Sequence, residues 1–312
     1  MAKRKDHGES QSEQEDFDES SSAESGSDDD ANMVDVEFEW FDPQPEHDFQ
    51  GLKTLLRQLF DADAQLFDLS ALTDLILAQP LLGSTVKVEG NETDPYAFLT
   101  VLNLHEHTVS VVKHCYNLAD AIQDKLVIKS LIDYIIRLTS GNPNLSVLMD
   151  LLKPKSKACI GLLLSERLIN IPSEVVPPMY KMLLEEISWA LEEKEPYSFT
   201  HYLVLSKTYK EVSSNLDQEP STSQKKRKKQ KMASGQRGES SVFHFHPEDE
   251  VLQRHASAYG GFNYLKQEAE GHSDSKRAFQ DLGIKPQGHL ILIEKDKLQP
   301  AVRAMEEYFH QS

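Results

Sequence analysis

Several things are scarce in this 312-residue chain. No uninterrupted run approaches the roughly 18 apolar residues that a membrane-spanning helix needs, so none is expected. No hydrophobic stretch follows Met1, so no secretory signal is expected. Only two cysteines occur, Cys115 and Cys159, both in apolar neighbourhoods. They read as buried, reduced thiols of a reducing compartment. The phosphate-cradling patterns G-x-x-x-x-G-K and G-x-G-x-x-G are missing, as are the nucleophile elbow G-x-S-x-G and the zinc helix H-E-x-x-H. No internal repeat is found.

What is abundant is acid, and it is unevenly placed. Residues 1–50 hold 17 acidic and 3 basic side chains, a net of −14 out of −18 for the whole chain. The remainder is almost balanced. Residues 7–31 contain one aromatic residue and no β-branched aliphatic one. Such a stretch cannot bury enough apolar area to offset the entropy of ordering, so residues 1–32 are expected to be a disordered acidic tail. Within it, Ser25 and Ser27 have Asp28 and Asp30 three residues on, the spacing acidophilic kinases prefer. Both are candidate phosphorylation sites.

A folded body is expected over 33–312. MVDVEFEWF alternates as a half-buried strand does. Leu52, Leu55, Leu56, Leu59 and Phe60 form a helical stripe. Ser70 is placed as the cap of a helix that stops at Pro80. STVKVEG and AFLTVLNL read as strands joined through Gly90-Asn91. Two helical stretches are expected over 108–139, the second with Val127, Leu131, Ile135 and Leu138 on one face. Asn144 is read as the cap of a short helix. Cys159 to Leu164 is apolar throughout, as a central strand covered on both faces would be. Pro177 should hold Val176 extended, with a helix starting after it. Tyr180, Leu183, Leu184, Ile187 and Leu191 are that helix's buried stripe. FTHYLVLSKTY, VFHFH and HLILIE complete about seven strands, and Leu298, Val302, Met305 and Phe309 mark a last helix. About seven helices are expected in all. Their irregular order predicts one α/β domain with a mixed β-sheet flanked by helices. Residues 213–240 are polar, basic and Gly/Ser-containing, and are expected to be a disordered loop within that domain.

Candidate chemistry is sparse. Ser165, in LLSER, has no glycine-flanked turn. It reads as a strand-end serine, with Glu166 and Arg167 in surface pairs. His244 and His246 share one face of a strand, and His105 and His107 repeat that spacing. Neither pair has further local ligands, so partly exposed structural histidines are the better reading than metal. Lys225, Lys226, Arg227, Lys228, Lys229 and Lys231 form a dense cationic run. An import receptor needs only exposure and flexibility, so a nuclear-import signal is the favoured reading. Nucleic-acid binding is the weaker one, because the run's flanks lack aromatics and the acidic tail would compete.

The segment GLLLSERLINIPSEVVPPMYKMLLEEI carries a resemblance. It is similar to the hallmark of the BCCIP family, a G-L-L-[LV]-S-E-R-[FL]-[IL]-N-[MV]-P block leading into P-M-Y and a helix. The acidic head, the strand VDVEFEWF, the helix LKTLLRQLF and the Lys-rich insertion extend the likeness over 33–312, more loosely over 213–285. The resemblance implies an outline like that of the acetyltransferases without their activity. Acyltransferases bind coenzyme pyrophosphate on a glycine-bearing turn, and RLINIP has no glycine. It further implies a non-enzymatic nuclear protein that shuttles to the cytoplasm, with no cofactor. Its implied protein cargo is a basic ribosomal large-subunit protein, chaperoned during ribosome biogenesis, or a lipid kinase exported from the nucleus. The genome-maintenance partners of some animal members are not carried over. The alternative is a divergent acyltransferase-fold enzyme with an unrecognised site.

Overall fold

A computed structural model of the chain describes residues 36–79, 82–105, 118–153, 155–211, 242–266 and 284–310. The acidic segment 1–32, all of 213–240 and one of the two helical stretches expected over 108–139 lie outside them, as do Cys115 and His107. Among the described residues no helix is long and apolar enough to cross a membrane.

Among the described residues eight strands form one mixed sheet: β1 (Glu39–Phe41), β2 (Ser84–Lys87), β3 (Ala97–Asn103), β4 (Ile160–Arg167), β5 (His201–Glu211), β6 (Val242–His244), β7 (Ala258–Phe262) and β8 (Ile284–Glu294). They lie in the order β1-β2-β3-β4-β5-β8-β7, with β6 also paired to β5. Every pairing is antiparallel except β4 with β5. That one parallel pair requires a crossover, supplied by helix α5 (Val176–Glu192).

Two helical layers cover the sheet. On one face lie α1 (Pro45–Phe60), α2 (Leu69–Leu77), α3 (Leu118–Thr139) and α4 (Ser146–Leu151). On the other lie α5, α6 (Pro247–Arg254) and α7 (Lys295–His310). Because strand side chains alternate, Leu162 and Leu164 of β4 enter the first core while Leu163 enters the second. This is why β4 reads as an unbroken apolar run. Gly161 sits on the second face, where a Cβ would come within 2.7 Å of Val101 Cγ2 and 3.1 Å of the Phe199 ring.

Buried polar anchors fix the layers to the sheet. Lys87 Nζ pairs with Asp48 at 2.6 Å with both side chains fully buried, and it also donates to the Asn91 carbonyl and side chain. The other Asp48 oxygen accepts from the Gln44 backbone at the start of α1. Asp63 accepts from the Tyr134 hydroxyl and from the amides of Leu265 and Lys266. Gly83, at φ 122, donates its N–H to the buried carboxylate of Glu186 on α5. Burial, against the Gly83 bond, pushes that carboxyl up.

Several local expectations are corrected. The cap of α2 is Asp68, whose carboxylate accepts from the Ser70 and Ala71 amides. Ser70 lies inside the helix and accepts from Lys53 Nζ. Asn142, not Asn144, caps the short turn before α4. Val176 is helical, at φ −78 and ψ −46, despite Pro177. Burying Val176 and Pro177 in the second core outweighs the steric preference of a residue before proline. β7 and α6 escaped the apolar pattern entirely, because AYGGF contains two glycines and PEDEVLQR is mostly charged. Cys159, expected to be buried, is only partly so, and its Sγ donates to Asn103 Oδ1 at 3.6 Å.

Candidate functional site

β4 and β5 run side by side from Ile160 and His201 to Leu164 and Leu205, then part. Ser165, Glu166 and Arg167 stay with β3, while Ser206 to Glu211 stay with β8. β6 takes the vacated place beside β5 at Thr208–Lys210. The carboxyl ends of parallel strands that part in this way form the crevice where open α/β sheets bind ligands. Any coenzyme of an acetyltransferase-like fold would have to compete for this space.

Here the crevice is occupied by the protein's own charges. Alternation places Glu166 and Lys207 towards α1, and Arg167 and Ser206 towards α6. Lys207 Nζ pairs with Glu166 Oε2 and also donates to the Gln58 carbonyl at 3.2 Å. Gln58 Nε2 donates to Glu166 Oε1 and to the Arg167 carbonyl. His246, just ahead of α6, reaches Glu166 Oε1 through Nε2 at 2.9 Å. On the other side Arg167 pairs with Glu248 and the Ser206 hydroxyl donates to Asp249, both in the first turn of α6. Three acids and three bases thus tie α1, β4, β5 and α6 together through the gap between the strands.

The protonation states follow from these contacts. Burial alone would raise Glu166, but the His246 hydrogen bond and the Lys207 and His246 charges outweigh it and hold the carboxyl below its usual range. Burial would lower His246, yet the bond to Glu166 and the acids around it raise the imidazole instead. Burial and neighbouring Glu248 push Asp249 up to about 7. A serine hydrogen-bonded to a carboxylate looks like an activated nucleophile. A nucleophile and its base must reach a substrate, however. Ser206 is 2 % exposed and Asp249 4 %, and α6 covers both. The arrangement can hold α6 on the sheet; it offers no path to a reacting group.

The structure separates the histidines that the sequence pairs. His244 ends β6 and meets the His289 ring edge-on at 5.3 Å, while His246 joins the charge cluster. His289 contacts Gln253 through Nε2 at 2.7 Å, and burial, helped by His244, lowers it to about 4. His105 is partly exposed. Among the described residues, no three His, Cys, Asp or Glu side chains come together as a metal site. Glu166 and Arg167 are 1 % and 8 % exposed, so the surface pairs expected from LSER are buried ones. The cationic run Lys225–Lys231 and the serines Ser25 and Ser27 lie outside the described residues.

Sequence reasoning missed Gln58, Lys207, Glu248 and Asp249. One signal was present. His-Pro-Glu-Asp-Glu has proline in the first turn of a helix, followed by three acids, which is how helices begin.

The chain is similar to known proteins. The family model described as BCCIP matches residues 33–252. Protein bcp1 of Aspergillus fumigatus is 60% identical over 282 residues, covering 90% of each chain. Protein bcp1 of Schizosaccharomyces pombe is 46% identical over 284 residues, covering 90% of this chain and 92% of its own. The crystal structure of BCP1 from Saccharomyces cerevisiae matches with a TM-score of 0.55 and 25% identity, over 91% of this chain and 94% of that one.

Proposed function

This chain belongs to the BCCIP family, and we propose that it is a non-enzymatic nuclear binding protein, which chaperones a basic ribosomal large-subunit protein during ribosome biogenesis and/or serves protein export from the nucleus. The observation that carries the reading is the crevice. Where a catalytic relative would admit a coenzyme, paired charges and α6 fill the space. Surface recognition is then what remains for the fold to do. The net −14 of residues 1–50 is complementary to a basic cargo and would steer its approach. The cationic run Lys225–Lys231 supplies the nuclear address in this reading.

The test is to refold a purified basic large-subunit ribosomal protein with and without the chain. The chain is expected to keep that cargo soluble at equimolar ratio and to leave unrelated basic proteins unprotected. Equal binding to every basic protein, or no protection at all, overturns the chaperone reading in favour of an export adaptor. Import is tested separately by imaging a tagged copy with alanines at Lys225, Lys226, Arg227, Lys228 and Lys229. Nuclear accumulation should be lost. If it persists even when Lys3, Arg4 and Lys5 are also replaced, the import assignment is wrong.

A further inference from the structure

One side of α5 is buried on the sheet, with Met179, Tyr180, Leu183, Ile187 and Ala190 in the second core. Its outer side carries Trp189, which is 56 % exposed. Tryptophan is enriched where a protein surface meets a partner, because so large an apolar ring gains most from leaving water. Helical spacing sets Glu185 one turn before Trp189, and Glu192 and Glu193 one turn after it. All three glutamates are exposed. Trp40, the other tryptophan of the chain, is held differently: it is partly buried, and its Nε1 donates to the Val175 carbonyl.

This end of α5 is electrostatically uncompensated. The last carbonyls of a helix form its negative pole and favour cations. α1, α3 and α6 place Arg57, Arg137 and Arg254 there, whereas the last turn of α5 holds no base. Glu192 and Glu193 add to the negative pole instead. Lys181 lies two turns before Trp189 and Lys194 just past the helix, yet among the described residues none of the three glutamates has an ion-pair partner. Asp42, next to β1, extends the acid towards the sheet edge. Burial pushes the neighbouring Glu186 carboxyl up, the Gly83 bond opposes it, and the charges of Asp42 and Glu185 push the same way as burial. Local rules broken without an offset inside the chain are expected at functional surfaces.

We propose that the face of α5 centred on Trp189 docks an arginine-rich segment of a basic protein partner. The site rests on the basic-cargo reading above and gives that cargo its place on the folded body. A guanidinium can lie flat on the indole while its N–H groups donate to the surrounding carboxylates. An apolar partner would cut the glutamates off from water without pairing them. Nucleic acid would be repelled by them. Lysine offers a point charge and no plane to stack, so the face should prefer arginine.

The experiment titrates the full chain with a short labelled peptide alternating arginine and serine, and with its lysine counterpart. The arginine peptide is expected to bind more tightly and to shift the indole fluorescence. Trp189→Phe, which keeps Trp40, should lose that shift. Trp189→Ala should weaken the arginine peptide about tenfold or more, as loss of a central interface tryptophan does, and should erase the preference over lysine. Trp189→Tyr keeps an aromatic face and should retain most of both. Gln at Glu185, Glu192 and Glu193 together should weaken both peptides. The acidic tail is present in every variant and reads charge alone, so it cannot produce the preference for arginine. The site is overturned if Trp189→Ala binds like wild type, if arginine and lysine peptides bind equally, or if Trp189→Ala merely splits a wild-type dimer in sedimentation. Refolding of the ribosomal cargo separates the two readings. If Trp189→Ala protects that cargo as well as wild type does, the cargo reading stands and this site falls. If wild type protects no such cargo yet the arginine peptide binds at Trp189, the site stands and serves another basic protein.

Discussion

At the scale of single residues, the interior is decided by close approach. Gly161 is one case: its hydrogen faces Val101 and Phe199, with no room for a Cβ until one of them shifts. Replacing it by valine is expected to overpack the second core and to destabilise by about 1–3 kcal/mol. Chemical denaturation with an unchanged slope and a lower midpoint would show this, and an unchanged midpoint would refute it. Arg167 is another. It is buried against Glu248, and the cost of breaking such a pair exceeds the value of making it. Arg167→Ala should lose about 3–5 kcal/mol, because Glu248 is left buried without its partner. If that variant melts like the wild type, the pair is not the anchor of α6.

At the scale of elements, α6 is the piece held by titratable groups, so its docking should depend on pH. The folded chain keeps a proton on Asp249 up to about 7, whereas an ordinary aspartate releases it near 3.8. Between those values the folded state binds the proton that the unfolded chain has released. Stability from this group is therefore full below about 4, falls as pH rises, and is lost above about 7. His246, also raised when folded, acts with the same sign around and above 6.5. Glu166 is lowered, so its contribution is lost only as pH falls below the ordinary carboxylate range. Asp249→Asn removes the first effect and keeps an acceptor for Ser206. Its melting temperature relative to wild type should rise from pH 5 to about pH 7 and level off by pH 8. A constant difference across that range would mean that Asp249 stays ionised in the folded chain.

At the scale of the whole molecule, charge is segregated. The body beyond residue 50 is nearly neutral, and the first 50 residues carry most of the acid. Opposite charges speed encounter, and the effect is screened over about 8 Å at physiological salt. Deleting residues 1–32 is therefore expected to slow association with a basic cargo and to flatten its salt dependence, while dissociation changes little. Stopped-flow kinetics at several salt concentrations would read both rates. Complete loss of binding would instead make the acidic segment the site itself.

Much of this was legible in the amino-acid order. Alternation marked β1, an unbroken apolar run marked β4, and apolar spacing placed the buried stripes of α1, α5 and α7, because burial on one face or on both leaves a local pattern. The missing glycine in RLINIP already argued against a pyrophosphate cradle. Caps were less legible: Asp68 and Asn142 each sit two residues before the residue chosen, since any of several neighbouring polar side chains could serve. What the order of residues could not decide is where β4 and β5 part. That depends on which strands accept their hydrogen bonds, and those partners are distant in sequence: Ser206 meets His289 in β8, 83 residues on, and Thr208 meets His244 in β6, 36 residues on. The parting turns Glu166, Arg167 and Lys207 from apparent surface charges into a buried network with α6. It also gathers Tyr209, Phe243 and Phe245 onto one face. A charge next to an apolar run looks the same in sequence whether it meets water or an opposite charge, and only the tertiary structure chose between them.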